Sequence, residues 1–265
     1  MTSDRRQSGS LAVLRRRRPR SHSAASTLGL LAAIAVLALA LAAVPPAVTA
    51  DSHANGTDPY TIEQGDQCVD VDPITNTSQT VVDFYDYRHP DSSPNATTYS
   101  SYGTTAYQAD NTSILLLYRG SQGTSLVIVH DQLHEPASEG TNGSSATFNV
   151  TGLSPGDDGW VVEDDDYDAQ DDQFDHYPTY SEIDWVWSRG RTDGGAYRGL
   201  DGDVDIGIDP AFNESADIRY NGTYGGYVHD WQVITATADG FERVSLDSLT
   251  EDVAIRDGYC APPPN

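Results

Sequence analysis

Carboxylates carry most of the chemistry this chain can offer. Residues 163–175 read EDDDYDAQDDQFD, the densest acidic stretch in the sequence. With Asp164 taken as position one, carboxylates fall at positions one, three, five, nine and twelve: Asp164, Asp166, Asp168, Asp172 and Asp175. Calcium takes about six to eight oxygen ligands, and this is the spacing of an EF-hand loop. Two residues depart from that loop. Ala169 stands where the sharp turn needs glycine, and Asp175 stands where a bidentate glutamate is usual. No flanking helices are evident. The expectation is a calcium site at these five aspartates, set against a merely solvated loop in a chain so rich in acids. The acids of Asp201–Asp205 also alternate and read as a strand with one carboxylate face.

Three other sets of residues could carry chemistry. His130 and His134 are four apart with acids beside them, as in zinc hydrolases. That chemistry needs a helix, and Pro136 and Gly140 leave no room for one. On a strand the two rings stand roughly 13 Å apart, too far to share a metal. Ile183, Trp185 and Trp187 alternate, so they share one strand face. Trp185 and Trp187 then either stack on a sugar or fill a core between sheets. Arg189, Arg191 and Arg198 lie in a glycine-rich loop and are expected to pair with carboxylates, with an anionic-ligand site as the sharper alternative. No nucleophile elbow, phosphate loop or dinucleotide fingerprint is present, and paired carboxylates are uninformative where acids are so frequent.

Cys68 and Cys260, the only cysteines, are expected to form a disulfide closing most of the folded chain. Two cysteines cannot by themselves build a structural zinc site. Sequons at Asn55, Asn76, Asn95, Asn111, Asn142, Asn213 and Asn221 point to surface glycosylation. An eighth, Asn149, lies in a strand-like run and is the least convincing.

The elements that must position these residues follow from composition. Seven of the fifteen arginines lie in residues 1–50, there is no lysine, and from Asp51 onward eight arginines face 39 acids, a formal charge of −31. Self-repulsion of that size acts over about 10 Å at 0.1 M salt and about 3 Å at 1 M, so the chain suits concentrated salt. Such a surface argues against nucleic acid and anionic membranes as partners, while carbohydrate or another surface polymer stays open. Leu28–Val44 is apolar and uncharged, follows an arginine-rich stretch and precedes Val48-Thr49-Ala50. That order is a secretory signal peptide or a retained N-terminal anchor, which places the acidic part outside the cell. It is also the chain's one expected contact with a membrane.

Beyond the leader, short apolar and β-branched runs alternate with Gly, Pro, Asn and Asp clusters. The expected fold is all-β: an antiparallel β-sandwich or jelly roll over residues 67–260, with a stalk at 51–66 and a frayed tail at 261–265. Expected strands include Thr80–Arg88 and Thr98–Gln108. The runs at Ser113–Tyr118 and Ser125–Asp131 read as a central hairpin buried on both faces. Val82–Arg88 (VDFYDYR), Gly159–Asp165 (GWVVEDD) and Asp184–Trp187 (DWVW), with the lysine-free acidic chain, resemble secreted or surface proteins of extremely halophilic archaea that have no assigned activity. The resemblance implies location and environment and supplies no catalytic residues. The sequence therefore points to an exported, glycosylated β-domain with a structural, adhesive or ligand-binding role. The rival is a secreted hydrolase of polysaccharide or peptide, which convergent carboxylates of perturbed pKa in a concave site would favour.

Overall fold

Sixteen strands alternate with tight turns among the described residues. The computed structural model describes residues 59–89, 98–154, 159–165, 171–218 and 224–262, all within the unit His53–Asn265. The leader, Asn55, Asn95, Asn221, Asp166 and Asp168 lie outside the described residues. In chain order the strands begin with β1 (Tyr60–Gln64), β2 (Gln67–Val71) and β3 (Ile74–Thr75), then helix α1 (Val81–Tyr85), β4 (Tyr87–Arg88) and β5 (Ser100–Ser101). The long hairpin β6 (Thr112–Gly120) and β7 (Gly123–His130) follows, then β8 (Ser145–Thr151), β9 (Gly159–Glu163), β10 (Gln173–His176) and β11 (Tyr180–Val186). The chain closes with β12 (Asp193–Arg198), β13 (Asp205–Phe212), β14 (Asp230–Thr237), β15 (Gly240–Ser245) and β16 (Val253–Asp257).

Two large sheets form a sandwich. The first runs β10-β11-β8-β13-β16-β1-β2 and is antiparallel throughout. The second runs β15-β14-β6-β7-β12-β9, with β3 also on β6. The all-β expectation holds, with one difference. β14 and β3 pair with β6 in parallel, so the second sheet is mixed.

The β6–β7 hairpin explains its own hydrophobicity. Leu115, Leu117, Leu126 and Ile128 face the first sheet, where Phe148, Val150, Ile206, Ile208 and Ile255 complete the main core. Ile114, Leu116, Val127 and Val129 point the other way, into a second core capped by Val81, Phe84 and Tyr85 of α1. Both faces are covered, so neither shows the polar alternation of a half-exposed strand.

Three expectations are corrected here. Residues 60–64 are not stalk: β1 lies between β16 and β2, and Ile62 is fully buried. Val81–Tyr85 is helix rather than strand, because the Thr80 hydroxyl caps it by accepting from Asp83 N–H at 3.1 Å. Of Thr98–Gln108 only Ser100–Ser101 is strand, paired with β4. Cys68 and Cys260 are joined by a disulfide with Cα atoms 5.8 Å apart, which fixes the C-terminal residues to β2.

Candidate carboxylate site

The candidate site forms where the chain passes from one sheet to the other. β9 is the edge of the second sheet, and β10 is the edge of the first. The acidic segment joins them. Asp164 and Asp165 follow β9 directly, and Asp171 and Asp172 lead into β10. Asp193 comes from elsewhere, as the first residue of β12. The pairing of β12 with β9 brings it alongside, with Gly195 opposite Glu163 and Asp164 N–H donating to Gly194 O at 3.3 Å. Gly194 is required for this approach. Its φ is +150°, and a Cβ there would lie 2.1 Å from Ile128 O.

These carboxyls are withdrawn from water. Asp164 is 0% exposed, Asp193 1%, Asp172 5% and Asp165 9%. Donors hold one oxygen of each. Tyr85 OH donates to Asp164 Oδ2 at 2.7 Å, Tyr87 OH to Asp165 Oδ1, Val186 N–H to Asp172 Oδ1 at 2.8 Å, Gly194 N–H to Asp193 Oδ1 at 2.8 Å and Tyr224 OH to Asp171 Oδ2 at 3.1 Å. The other oxygens, Asp164 Oδ1, Asp172 Oδ2 and Asp193 Oδ2, are buried with no donor. Asp165, Asp171 and Asp172 each offer an oxygen, and these lie within 4.8 Å of one another.

Burial sets the protonation. Desolvation, then mutual repulsion, pushes Asp164 and Asp193 well above the ordinary carboxylate range; for Asp172 the same two causes act, with Asp193 as the nearest charge. Asp165 is pushed up to about 6, mainly by burial and against the Tyr87 hydrogen bond. Tyr85 and Tyr87 are raised, chiefly by burial, and stay protonated as donors. A proton shared between Asp172 and Asp193 satisfies two orphaned oxygens. A cation held by Asp165, Asp171 and Asp172 offsets their charge without retaining protons. Either way the buried charge must be matched.

The structure rearranges the ligand set expected from spacing. Asp164 and Asp172 belong to the cluster. Asp175 does not fill the twelfth position: it lies on β10 opposite Glu182 and accepts from Gln173 Nε2 at 2.5 Å. Asp165, Asp171 and Asp193 were missed. Asp165 has φ +63°, a left-handed turn taken directly after β9. Strands β9 and β10, rather than the helices of an EF-hand, flank the segment.

Trp185 and Trp187 are 0% and 2% exposed, which corrects the sugar-stacking expectation. Trp185 packs edge-on against Phe148 at 5.3 Å, and Trp187 stacks on His130 at 5.0 Å. His130 is fully buried, meets Ser113 Oγ at 2.9 Å and is driven by desolvation down to about 3, so it stays neutral. His134 bonds Asp110 at 2.7 Å in a separate loop, so the two imidazoles share no site. Arg189 Nε donates to the Asn142 side chain at 3.0 Å rather than to a carboxylate. Asn213 is tied inward: Nδ2 donates to Val228 O at 3.0 Å and Oδ1 accepts from Ser144 Oγ and Val228 N–H, and the residue is half-buried. Asn76 and Asn142 are exposed, Asn111 half-buried. No protein-family model, curated protein or solved structure matches this chain.

Proposed function

We propose that this chain is an exported, salt-adapted and glycosylated β-sandwich module of the cell surface or extracellular space, with a structural or ligand-binding role, whose carboxylate cluster holds calcium. One observation carries the cation reading: oxygens of Asp165, Asp171 and Asp172 lie within 4.8 Å of one another, and Asp172, whose Oδ2 is buried with no donor, is one of the three. Calcium suits an all-oxygen set of carboxylates, and a zinc site would want nitrogen or sulfur. Placed between β9 and β10, the ion ties the edges of the two sheets together. The charge, the leader and the sequons support export and salt adaptation.

The hydrolase reading has one observation in its favour. Asp165, at a pKa of about 6, touches an open cavity and could act as an acid. Its neighbours Asp164, Asp172 and Asp193 are too buried to reach a substrate, so a second catalytic carboxylate has to come from Asp171.

Terbium, a calcium analogue excited through nearby Tyr and Trp, tests the cation reading directly. The purified chain in molar salt is expected to give sensitised emission that calcium displaces. Asp172→Asn is expected to weaken binding about tenfold or more. Silence of the wild type, or unchanged affinity in the variant, defeats the reading.

A further inference from the structure

We propose that the pocket on the open side of the carboxylate cluster binds a carboxylate-bearing sugar, whose carboxylate caps the bound cation and pairs with Arg191. This inference rests on the cation reading above. The cavity holds about 150 Å³ and opens to solvent. Asp165, Asp171, Arg191, Tyr99 and Tyr224 are among the residues that line it. The ion would therefore have a protein side and an open side. Asp165, Asp171 and Asp172 supply three converging oxygens, fewer than the six to eight calcium takes, so water or ligand oxygens must complete the shell.

The surroundings select for an anion. Without a cation, the lining carboxylates repel one. With a cation in place, an incoming carboxylate meets both the ion and the Arg191 guanidinium. Burial lowers the pKa of Arg191 against the attraction of Glu135. The rest of the rim suits a sugar ring. Tyr99 is 39% exposed, and its backbone sits at φ +48°, a region that bulky residues rarely adopt. Such strain clusters at ligand clamps. Tyr224 is anchored by its hydroxyl on Asp171. Two tyrosines beside a charged point match a pyranose, which has an apolar face and carries its carboxylate at the edge.

Calorimetry on the purified full-length chain, at constant salt and saturating calcium, compares glucuronate, glucose and acetate. Glucuronate is expected to bind at least about tenfold more tightly than either, and chelation is expected to abolish its binding. Arg191→Gln should lower glucuronate affinity about tenfold while terbium still loads, no more weakly than in the wild type, because a positive neighbour of the ion is gone. That loading also shows that the variant is folded. Equal binding of glucose removes the anionic requirement. Equal binding of acetate removes the sugar, and an unchanged Arg191→Gln removes the guanidinium; any of the three overturns the proposal. Failure of terbium to load the wild type defeats the cation reading itself, whereas loading without glucuronate binding defeats this inference alone.

Discussion

Stability in chelator should fall as the pH rises above neutrality, and calcium should reverse that fall. The sign follows from the cluster. Asp164, Asp172 and Asp193 have folded pKa values raised well above the usual range by desolvation and repulsion. Groups shifted that way favour the fold below their unfolded pKa, near 3.9, and lose that contribution as the pH climbs through the folded value. Each proton the folded cluster keeps and the unfolded chain has released costs about 1.4 kcal/mol of stability per pH unit. His130 works in the opposite direction. Its folded pKa of about 3 destabilises the fold progressively below its unfolded value of about 6.5, so its effect is flat above that point. The clean window is therefore from about pH 6.5 to about pH 8.5, where ordinary carboxylates and His130 no longer titrate. For each pH unit through which the cluster keeps one such proton, that slope lowers Tm by about 3–6 °C for a domain of this size. Calcium at a hundred times its Kd stabilises the fold by about 2.7 kcal/mol. The assay is tryptophan-fluorescence melting at fixed salt, with chelator or calcium. A chelated Tm that is flat or rises across the window, or a calcium increment that shrinks as the pH rises, refutes the reasoning.

Two more outcomes follow from the scaffold. Replacing Cys68 and Cys260 together by serine reopens a loop of 192 residues, and the chain-entropy relation puts the loss at roughly 5 kcal/mol, read as a lower denaturation midpoint with unchanged folded spectra. The His130 ring should show no NMR titration between about pH 5 and 8, whereas a shift near the ordinary imidazole pKa would mean that the site beside Trp187 is wet.

What was legible in the sequence depended on how local the cause was. β6 and β7 were readable because their apolar runs are continuous and a short turn separates them, with Gly120 opposite Gly123. The alternation of Ile183, Trp185 and Trp187 placed all three side chains together, although it could not say that a second sheet covers them. β1 was missed because what makes it a strand is remote: Tyr60 pairs with Asp257 at the far end of the chain. α1 was mistaken for strand because VVDFY is β-branched and aromatic. The local signal that outweighs this preference was present, with Thr80 capping and its hydroxyl also donating to Asp83 Oδ2 at 2.8 Å. In the carboxylate site, spacing found Asp164 and Asp172 because both lie on one segment. It could not find Asp193, which arrives through the β9–β12 register, and it assigned Asp175 to the site although strand pairing carries that residue away.

The acidity of this chain divides into two parts that answer to different ions. Exposed carboxylates repel one another through solvent, and any abundant salt weakens that repulsion within a Debye length. Asp164, Asp172 and Asp193 are out of contact with that solvent, so bulk screening reaches them poorly. Their repulsion is relieved only by a proton or by an ion bound at the cluster. Monovalent salt should therefore act gradually on the whole surface, whereas a divalent ion acts in stoichiometric amount at one edge of the sandwich. That edge is also where an ion contributes most. The strands meeting there, β9 and β10, belong to different sheets, and no backbone ladder joins them.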